Sequence, residues 1–297
     1  MILIDYNQVS LAALLTFTKD LSKSEEEVRN LVRHVVISNI LQYKKKYGQK
    51  YGEVVICCDG KEYWRKEVFP YYKGDRKKNR EASDIDWKMI FSALDEMRTD
   101  LKEVFPYKVM HLNRMEADDV IATLCKWSQN NELNQTGLFE EPQKMMIISS
   151  DQDFLQLQKY ENVDQFSPRI KKQLTMNKKD LYEKYITHIV KAGDDGIPNI
   201  LSADDSIVTE GVRQSTVSSK RLAEFMELGK DACRNELERR NWDRNERLIS
   251  FEFIPSDIEE EIIQAYIDCK PNKDRMKIMT YLAKKKCRLL LDELNNF

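Results

Sequence analysis

The stretch Met145-Met146-Ile147-Ile148-Ser149-Ser150-Asp151-Gln152-Asp153 decides the fold of this chain. Its apolar half runs directly into a short polar turn that carries two aspartates. An apolar run of this length with polar boundaries is typical of a buried strand in a sheet. Two aspartates one residue apart can both reach one cation from a turn, although an Asx turn followed by a helix cap explains a lone D-x-D motif equally well.

Three more apolar runs end in acidic residues. They are residues 2–4 before Asp5, residues 54–58 before Asp59, and residues 107–110, which a short loop separates from Glu116, Asp118 and Asp119. Ligand sites of open α/β sheets lie beyond the carboxyl ends of the strands, so acids from distant parts of the chain are expected to meet at one edge. Their mutual repulsion predicts a divalent counter-ion with oxygen ligands, and Mg²⁺ is the simplest choice.

Each of these acids has a plainer explanation when it is considered alone. Asp5 or Asp59 after a strand is commonly a turn residue or a helix cap. Glu116, Asp118 and Asp119 suit the first turn of a helix, where acidic residues complement the helix dipole. Helical spacing places Glu116 and Asp119 on one face, so a metal role for Glu116 and Asp118 requires the motif to straddle a loop and a helix.

Composition limits the class of protein. The chain has 297 residues, enough for a large and a smaller domain, and 41% of them are hydrophobic, which supports a real core. No uncharged apolar run approaches membrane-spanning length and the N-terminus has no signal-peptide pattern, so we expect a cytoplasmic protein without a membrane partner. Six cysteines without C-x-x-C spacing and three scattered histidines argue against a zinc site.

Positive charge is concentrated in short stretches of this chain. The formal net charge is −2, so any nucleic acid has to be held by basic patches. One such patch, residues 61–80, interleaves aromatic residues with cations. Cations neutralise phosphates and aromatic rings stack on unpaired bases. A solvated basic loop is the plainer alternative, and the density of Tyr and Trp argues against it.

Alternating strand and helix patterns predict an α/β domain with a largely parallel central sheet flanked by helices. Helices are expected at 8–18, 25–46, 84–103, 116–129, 179–191, 218–240, 256–268 and 274–294, with a polar loop at 130–143 and a further strand at 163–166. The strand signal fades near residue 180. The predicted domains are therefore an α/β domain at 1–180 and a smaller all-helical domain at 181–297.

The order and spacing of these motifs resemble the flap endonuclease and 5′-nuclease family, including its bacteriophage ribonuclease H branch. The motifs are Leu-Ile-Asp5, Cys-Cys-Asp59, Tyr-Trp-Arg65, Tyr-Tyr-Lys73, Glu116-Ala-Asp118-Asp119, Ile-Ile-Ser-Ser-Asp151-Gln-Asp153-Phe and Gly193-Asp194. The likeness covers most of the chain. It implies a PIN-like fold and a 5′-to-3′ exonuclease and flap endonuclease that removes RNA primers during DNA replication.

The resemblance also implies the site residues. Two Mg²⁺ ions, which Mn²⁺ can replace, would be held by Asp5, Asp59, Glu116, Asp118, Asp119, Asp151, Asp153 and Asp194. The basic residues expected beside the scissile phosphate are Arg65, Lys73 and Arg76. Further contacts with nucleic acid are expected from Trp64, Tyr72, Lys77, Lys78 and Arg80. Residues 74–100 match the arch under which a free 5′ end passes, and the helical domain would contribute Asp194 and duplex contacts.

Two departures from the family pattern leave alternatives open. The family usually carries G-D-x-x-D-N, whereas this chain reads Gly193-Asp194-Asp195-Gly196-Ile197-Pro198-Asn199. Either Asp195 replaces the second acid as a metal ligand or that ligand is missing. In the family, a glycine-rich helix–turn–helix that binds duplex DNA should follow, but residues 200–222 contain a single glycine, Gly211.

The implied partners are DNA with a 5′ flap or nick, an RNA–DNA hybrid, and a single-stranded-DNA-binding protein or sliding clamp. We expect a monomer in the cytoplasm of a host cell. Three alternatives remain: an RNA-specific PIN-like nuclease, a non-catalytic binder of branched nucleic acid, and a glycosyltransferase whose Asp151-x-Asp153 holds a nucleotide-sugar metal. Massed carboxylates facing phosphate argue against the binder. The glycosyltransferase leaves the basic patch and the other acids unexplained.

Overall fold

The computed structural model describes residues 1–17, 24–74, 76–83, 85–129 and 142–297, without the side chains of 77–79. Most of the predicted loop at 130–143 and the Lys77 and Lys78 side chains therefore lie outside the described residues. The chain forms two units, each built from separate stretches. Unit 1 comprises Met1–Lys61, Ile85–Thr175 and Ser256–Phe297, and unit 2 comprises Glu62–Asp84 and Met176–Pro255. The predicted domains instead divide the chain once, near residue 180, and stay a prediction.

A mixed sheet organises unit 1. Its strands are β1 (Ile2–Asp5), β2 (Val54–Cys58), β3 (Lys108–His111), β4 (Met145–Ile148), β5 (Val163–Ser167) and β6 (Lys172–Leu174). They lie in the order β3-β2-β1-β4-β5-β6, with β6 antiparallel to β5 and all other neighbours parallel. The prediction of a largely parallel sheet is confirmed. The short edge strand β6 was not predicted, because Lys-Gln-Leu carries no apolar run.

The register brings the carboxyl ends of the central strands level with one another. Ile4 of β1 pairs with Ile56 of β2 on one side and with Ile148 of β4 on the other. From β1 the chain moves outward to β2 and β3, then crosses to β4 on the opposite side. The strand order therefore reverses beside β1, and open α/β sheets bind their ligands beyond the strand ends at such a point.

Helices account for most of the remaining described chain. They are α1 (Tyr6–Leu14), α2 (Glu25–Tyr51), α3 (Trp64–Val68), α4 (Arg76–Glu81), α5 (Trp87–Val104), α6 (Ala117–Trp127), α7 (Lys178–Lys191), α8 (Ser219–Leu228), α9 (Glu236–Ile249), α10 (Ser256–Asp268), α11 (Arg275–Lys284) and α12 (Arg288–Leu291). Helix α2 begins at a capping box formed by Ser24 and Glu27, as the sequence predicts. Its apolar face shares one core with Ile2, Ile4 and Ile56 of the sheet.

Two predicted helices are interrupted. The predicted helix at 218–240 is two helices, because Gly229 at φ +56° ends α8 and the Asn235 side chain caps α9. The predicted helix at 274–294 is α11 followed by the short α12, and Lys286 at φ +57° lies between them. Apolar residues recur on both sides of each interruption, so periodicity alone did not place the breaks.

Unit 2 contains α3, α4 and α7–α9. Helices α7–α9 and the segment around α3 share a core of buried residues that includes Phe69, Tyr72, Ile189, Phe225 and Trp242. Asn245 is fully buried and donates hydrogen bonds to the carbonyl oxygens of Ile189 and Pro198, at 2.8 and 3.0 Å. These bonds satisfy one carbonyl in the last turn of α7 and one in the segment that follows it, where the predicted Asp194 and Asp195 lie. Across the described part of the chain, no helix combines the length and apolar character needed to cross a membrane.

Candidate active site

Most of the predicted metal ligands lie in unit 1, around the carboxyl ends of its strands. Asp5 is the last residue of β1, and Asp59 follows β2 directly. Asp151 and Asp153 follow β4, while Glu116, Asp118 and Asp119 lie at the start of α6. The parallel register therefore assembles residues that are up to about 150 positions apart in the chain, as the sequence predicts.

Asp5 shows that three of these carboxylates lie close together. Its side chain accepts hydrogen bonds from the Gln8 N–H at 3.1 Å and from the Ser149 hydroxyl at 3.0 Å. The residue is only 6% exposed. Burial, and then the negative charges of Asp59 and Asp151, raise the pKa of Asp5 from 3.8 to about 7. A neighbouring cation would reverse this effect by favouring the ionised carboxylate.

Asp59 links the end of β2 to the start of α6. Its Oδ1 accepts a hydrogen bond of 2.9 Å from the Ala117 N–H, one of the free backbone donors of the first helical turn. Its Oδ2 accepts a bond of 2.8 Å from the Asn7 side-chain amide. Asp59 is thus oriented by two elements that are distant in sequence.

The Glu116 motif straddles a loop and a helix. Glu116 has an extended backbone, at φ −102° and ψ 164°, and α6 begins at the next residue. The Glu116 N–H donates to Oδ2 of Asp119 at 2.9 Å, so Asp119 caps the helix from within its first turn. Glu116 and Asp119 are 1% and 0% exposed, and Asp118 is partly exposed. The geometry that a metal role for Glu116 and Asp118 requires is therefore present.

The D-x-D turn after β4 is held by its own hydrogen bonds. The Asp153 N–H donates to Oδ1 of Asp151 at 2.9 Å, which forms an Asx turn, and Asp153 begins the 3₁₀ helix Asp153–Lys159. The Asp151 N–H donates to the Ser149 hydroxyl at 3.1 Å. The Asx turn of the plain structural explanation is thus present, whereas the side chain of Gln152, the N-cap residue of the 3₁₀ helix, does not cap it. Asp151 also lies close enough to Asp5 to raise the pKa of that carboxyl.

The chemistry of these side chains fits a hard divalent cation, because all of them are carboxylates. The structure contains no ready-made coordination shell, since no three acidic, histidine or cysteine side chains of the described residues converge as metal ligands. Both oxygens of Asp5 and of Asp59 accept hydrogen bonds instead. Asp5, Asp59 and Asp151 therefore form a small group of neighbouring negative charges.

The remaining predicted ligands, Asp194 and Asp195, belong to unit 2. The Asp194 side chain is exposed. Asp195 pairs with two predicted catalytic cations: Arg76 Nε donates to Oδ1 at 3.1 Å, and Lys73 Nζ lies 3.5 Å from Oδ2. Metal binding by Asp194 and Asp195 stays a prediction.

The other residues of the basic patch divide into buried and exposed members. Arg65 is 3% exposed, and its Nε donates to the Leu248 carbonyl at 2.9 Å. Trp64 and Tyr72 are 2% and 4% exposed. Core packing accounts for these two rings, and their contact with nucleic acid stays a prediction, as does the phosphate contact of Arg65. Arg80 is exposed, and its Nε donates to the Arg76 carbonyl at 3.1 Å.

Sequence reasoning missed Asn7 and Ser149. Asn7 orients Asp59, and Ser149 joins Asp5 to the backbone of Asp151. Ser149 lies at the end of the decisive apolar run, where a buried hydroxyl needs a hydrogen-bond partner, and that signal could have identified it. Asn7 carries no local signal, because its partner is 52 residues away.

Comparison with known families assigns the chain. A model described as the 5′-3′ exonuclease N-terminal resolvase-like domain matches residues 1–186, and one described as the C-terminal region of T4 RNase H matches residues 166–297. The chain belongs to the 5′-3′ exonuclease family. It is 32% identical to the ribonuclease H of Enterobacteria phage T4, over 99% of this chain and 95% of that protein. The family resemblance seen in the sequence is confirmed.

Solved structures support the fold. A bacteriophage T5 5′-exonuclease with bound zinc has a TM-score of 0.60 and 17% identity, over 91% of this chain and 98% of that one. The T5 D15 flap endonuclease, in a complex with DNA and metal ions, has a TM-score of 0.59 and 18% identity, over 90% and 99%. The predicted fold class, a mostly parallel sheet flanked by helices with a helical C-terminal region, is confirmed.

The family also confirms the predicted class of enzyme. This chain is a nuclease of the 5′-3′ exonuclease family, and nucleases hydrolyse phosphodiester bonds. The T5 5′-exonuclease structure contains zinc, and a second T5 D15 structure was co-crystallised with metal ions.

Proposed function

We propose that this nuclease is magnesium-dependent and removes RNA primers and 5′ flaps during DNA replication. The observation that carries the proposal is the proximity of Asp5, Asp59 and Asp151 at the reversal point of the sheet. The 32% identity to a phage ribonuclease H supports the substrate class. The glycosyltransferase alternative does not explain why Asp59 and Asp151 both lie near Asp5. The chain also belongs to a nuclease family.

The carboxylates are the proposed metal ligands. Asp5, Asp59, Glu116, Asp118, Asp119, Asp151 and Asp153 would hold the ions directly or through water, with Asp194 as a further candidate. When bound, a pair of Mg²⁺ or Mn²⁺ ions activates a water molecule and stabilises the leaving oxygen. The Ser149 hydroxyl and the Asn7 amide keep the Asp5 and Asp59 carboxylates oriented.

The proposed role of Lys73 and Arg76 is to offset negative charge on the phosphate in the transition state. Lys73 is suited to this because only 8% of its side chain is exposed. Its Nζ lies 5.4 Å from the centre of the Tyr63 ring and 5.2 Å from that of Tyr72. A cation with little surrounding water acts more strongly on a nearby charge than a fully solvated one does.

A substrate panel tests the proposal. The panel contains a 5′-labelled flap DNA, an RNA–DNA hybrid with an RNA 5′ end, and single-stranded RNA, each with Mg²⁺ and with EDTA. We expect cleavage of the first two, only with Mg²⁺. Cleavage restricted to single-stranded RNA would favour the RNA-specific PIN-like nuclease instead. Binding of all three without cleavage would favour the non-catalytic binder.

Partners beyond the substrate follow from the resemblance alone. They are a single-stranded-DNA-binding protein or a sliding clamp, with the enzyme acting as a monomer in the host cytoplasm. Phosphate contacts predict that affinity for DNA falls steeply as salt rises. Gel-shift titrations at about 50 and about 200 mM salt would show a drop of at least tenfold, whereas salt-independent binding would contradict a phosphate-based grip.

A further inference from the structure

A backbone hydrogen bond joins two tight turns of unit 2. The Lys73 N–H donates to the Asp195 carbonyl at 2.6 Å, and the two residues have left-handed backbones, at φ +55° and φ +54°. A Cβ atom at Gly196 would lie 2.6 Å from the carbonyl oxygen of Tyr71. Left-handed backbone is uncommon for residues other than glycine, and it persists where the surroundings hold it.

The Asp195 carboxylate contacts a cation on each side. Oδ1 accepts hydrogen bonds from Nε of Arg76, at 3.1 Å, and from its Nη2. Oδ2 lies 3.5 Å from Lys73 Nζ and accepts a bond of 3.5 Å from the Tyr72 hydroxyl. At 3.5 Å the contact with Lys73 is chiefly ionic, whereas the bond with Arg76 is a charge-assisted hydrogen bond.

These contacts set where the two cations lie. Lys73 has its ammonium beside the Tyr63 and Tyr72 rings, with little exposure to water, so a fixed counter-charge stabilises it there. The Arg76 side chain is 47% exposed and forms an ion pair with Asp195.

We propose that Asp195 is a positioning residue that holds Lys73 and Arg76 in the orientation in which they meet the substrate phosphate. This inference rests on the proposed function, which places those two cations at the phosphate. It differs from the family pattern, in which the second acid of the G-D-x-x-D motif belongs to the metal site. Here the carboxylate of Asp195 contacts the basic side chains of Lys73 and Arg76 in its own unit.

A double-mutant cycle separates positioning from metal binding. Asp195→Asn keeps the shape of the side chain, and asparagine tolerates the left-handed backbone, so the variant should fold. We expect its single-turnover cleavage rate to fall roughly tenfold to a hundredfold, with an unchanged Mg²⁺ concentration at half-maximal rate. In a Lys73→Ala/Arg76→Ala background, the same substitution should cost less than about twofold. A raised Mg²⁺ requirement of Asp195→Asn would overturn the inference. So would a loss of cleavage rate in the Lys73→Ala/Arg76→Ala background as large as the loss in the unmodified background.

A second measurement does not depend on nuclease activity. Amine acetylation followed by mass spectrometry reports the accessibility of Lys73, with Lys179, whose side chain is 82% exposed, as the internal reference. We expect Lys73 to react severalfold faster in Asp195→Asn than in the unmodified protein. Asp243→Asn is the matched control, because it removes the carboxylate that pairs with Lys230 in the same unit.

The two measurements distinguish the possible failures. Equal labelling of Lys73 in the unmodified protein and in Asp195→Asn would overturn the inference, whatever the activity. Absence of cleavage in the unmodified protein, combined with faster labelling in the variant, would overturn the proposed function while the contact between Asp195 and Lys73 stands.

Discussion

The Ser149 hydroxyl donates a hydrogen bond of 3.0 Å to the Asp5 carboxylate, between the carboxyl ends of β1 and β4. The same hydroxyl accepts the Asp151 N–H at 3.1 Å. One small side chain therefore orients an acid from the first strand and the backbone of an acid from the fourth. Groups that orient metal ligands in this way commonly change metal affinity by about 10–100-fold when they are removed.

Ser149→Ala should consequently raise the Mg²⁺ concentration at half-maximal cleavage rate about tenfold. The maximal rate should change less, because the carboxylates themselves remain. Ser128→Ala is the matched control: Ser128 is also fully buried in unit 1, but it donates to the Cys125 carbonyl. Indistinguishable Mg²⁺ titrations of the two variants would show that the hydrogen bond from Ser149 to Asp5 does not affect Mg²⁺ affinity.

Asp151→Asn and Asp153→Asn should each abolish cleavage while DNA binding stays within about threefold. The amide keeps the size of the side chain but removes the negative charge that a divalent cation requires. Single-turnover assays and gel-shift titrations on the same flap DNA would measure the two effects. Asp268→Asn, on the exposed face of α10, should behave like the unmodified enzyme. Full activity of either active-site variant would rule out its assignment as a ligand.

The stability of the metal-free protein should fall as pH rises from about 4 to about 7. Asp5 has a pKa raised to about 7 in the folded protein, whereas an unfolded aspartate titrates near pH ~3.9. Between these values the folded state binds more protons, so each pH unit lowers the free energy of unfolding by up to about 1.4 kcal/mol.

Urea unfolding in EDTA at a series of pH values would measure this slope. Asp5→Asn should flatten it and should be more stable than the unmodified protein near pH 7, because it removes a buried charge that lacks a counter-ion. Parallel stability curves for the two proteins would contradict the raised pKa.

Arg65→Gln should destabilise the protein by about 1–3 kcal/mol, because it leaves the buried Leu248 carbonyl without its charged donor. It also removes the guanidinium whose centre lies 4.6 Å from that of the Trp64 ring. Urea unfolding against Arg213→Gln, an exposed arginine of the same unit, would provide the comparison. A variant of unchanged stability but greatly reduced turnover would instead favour the phosphate contact predicted for Arg65.

The strands and the acidic cluster were predictable because both follow from local pattern. Buried parallel strands are continuous apolar runs, and parallel pairing places whatever follows each run at the same edge. The polar strand β6 and the breaks after Gly229 and near Lys286 depend on tertiary contacts and on backbone torsions, which leave no periodic signal.

Long-range side-chain partners were the least predictable part of the site. Asn7 and Asp59 are 52 residues apart, and Arg76 and Asp195 are 119 residues apart. Spacing along the chain cannot indicate such pairs, since only the folded backbone brings them together. The same limit explains why units built from several separate stretches were not apparent from the sequence.

The acids beyond β1, β2 and β4 are the proposed ligands of the divalent metal. Mn²⁺ binding, followed by the loss of the electron paramagnetic resonance signal of free Mn²⁺, tests this assignment most directly. We predict about two bound ions per chain for the unmodified protein and for Asp268→Asn, and strongly reduced binding for Asp5→Asn/Asp151→Asn. Binding of Mn²⁺ by the double variant with unchanged stoichiometry and affinity would contradict the assignment.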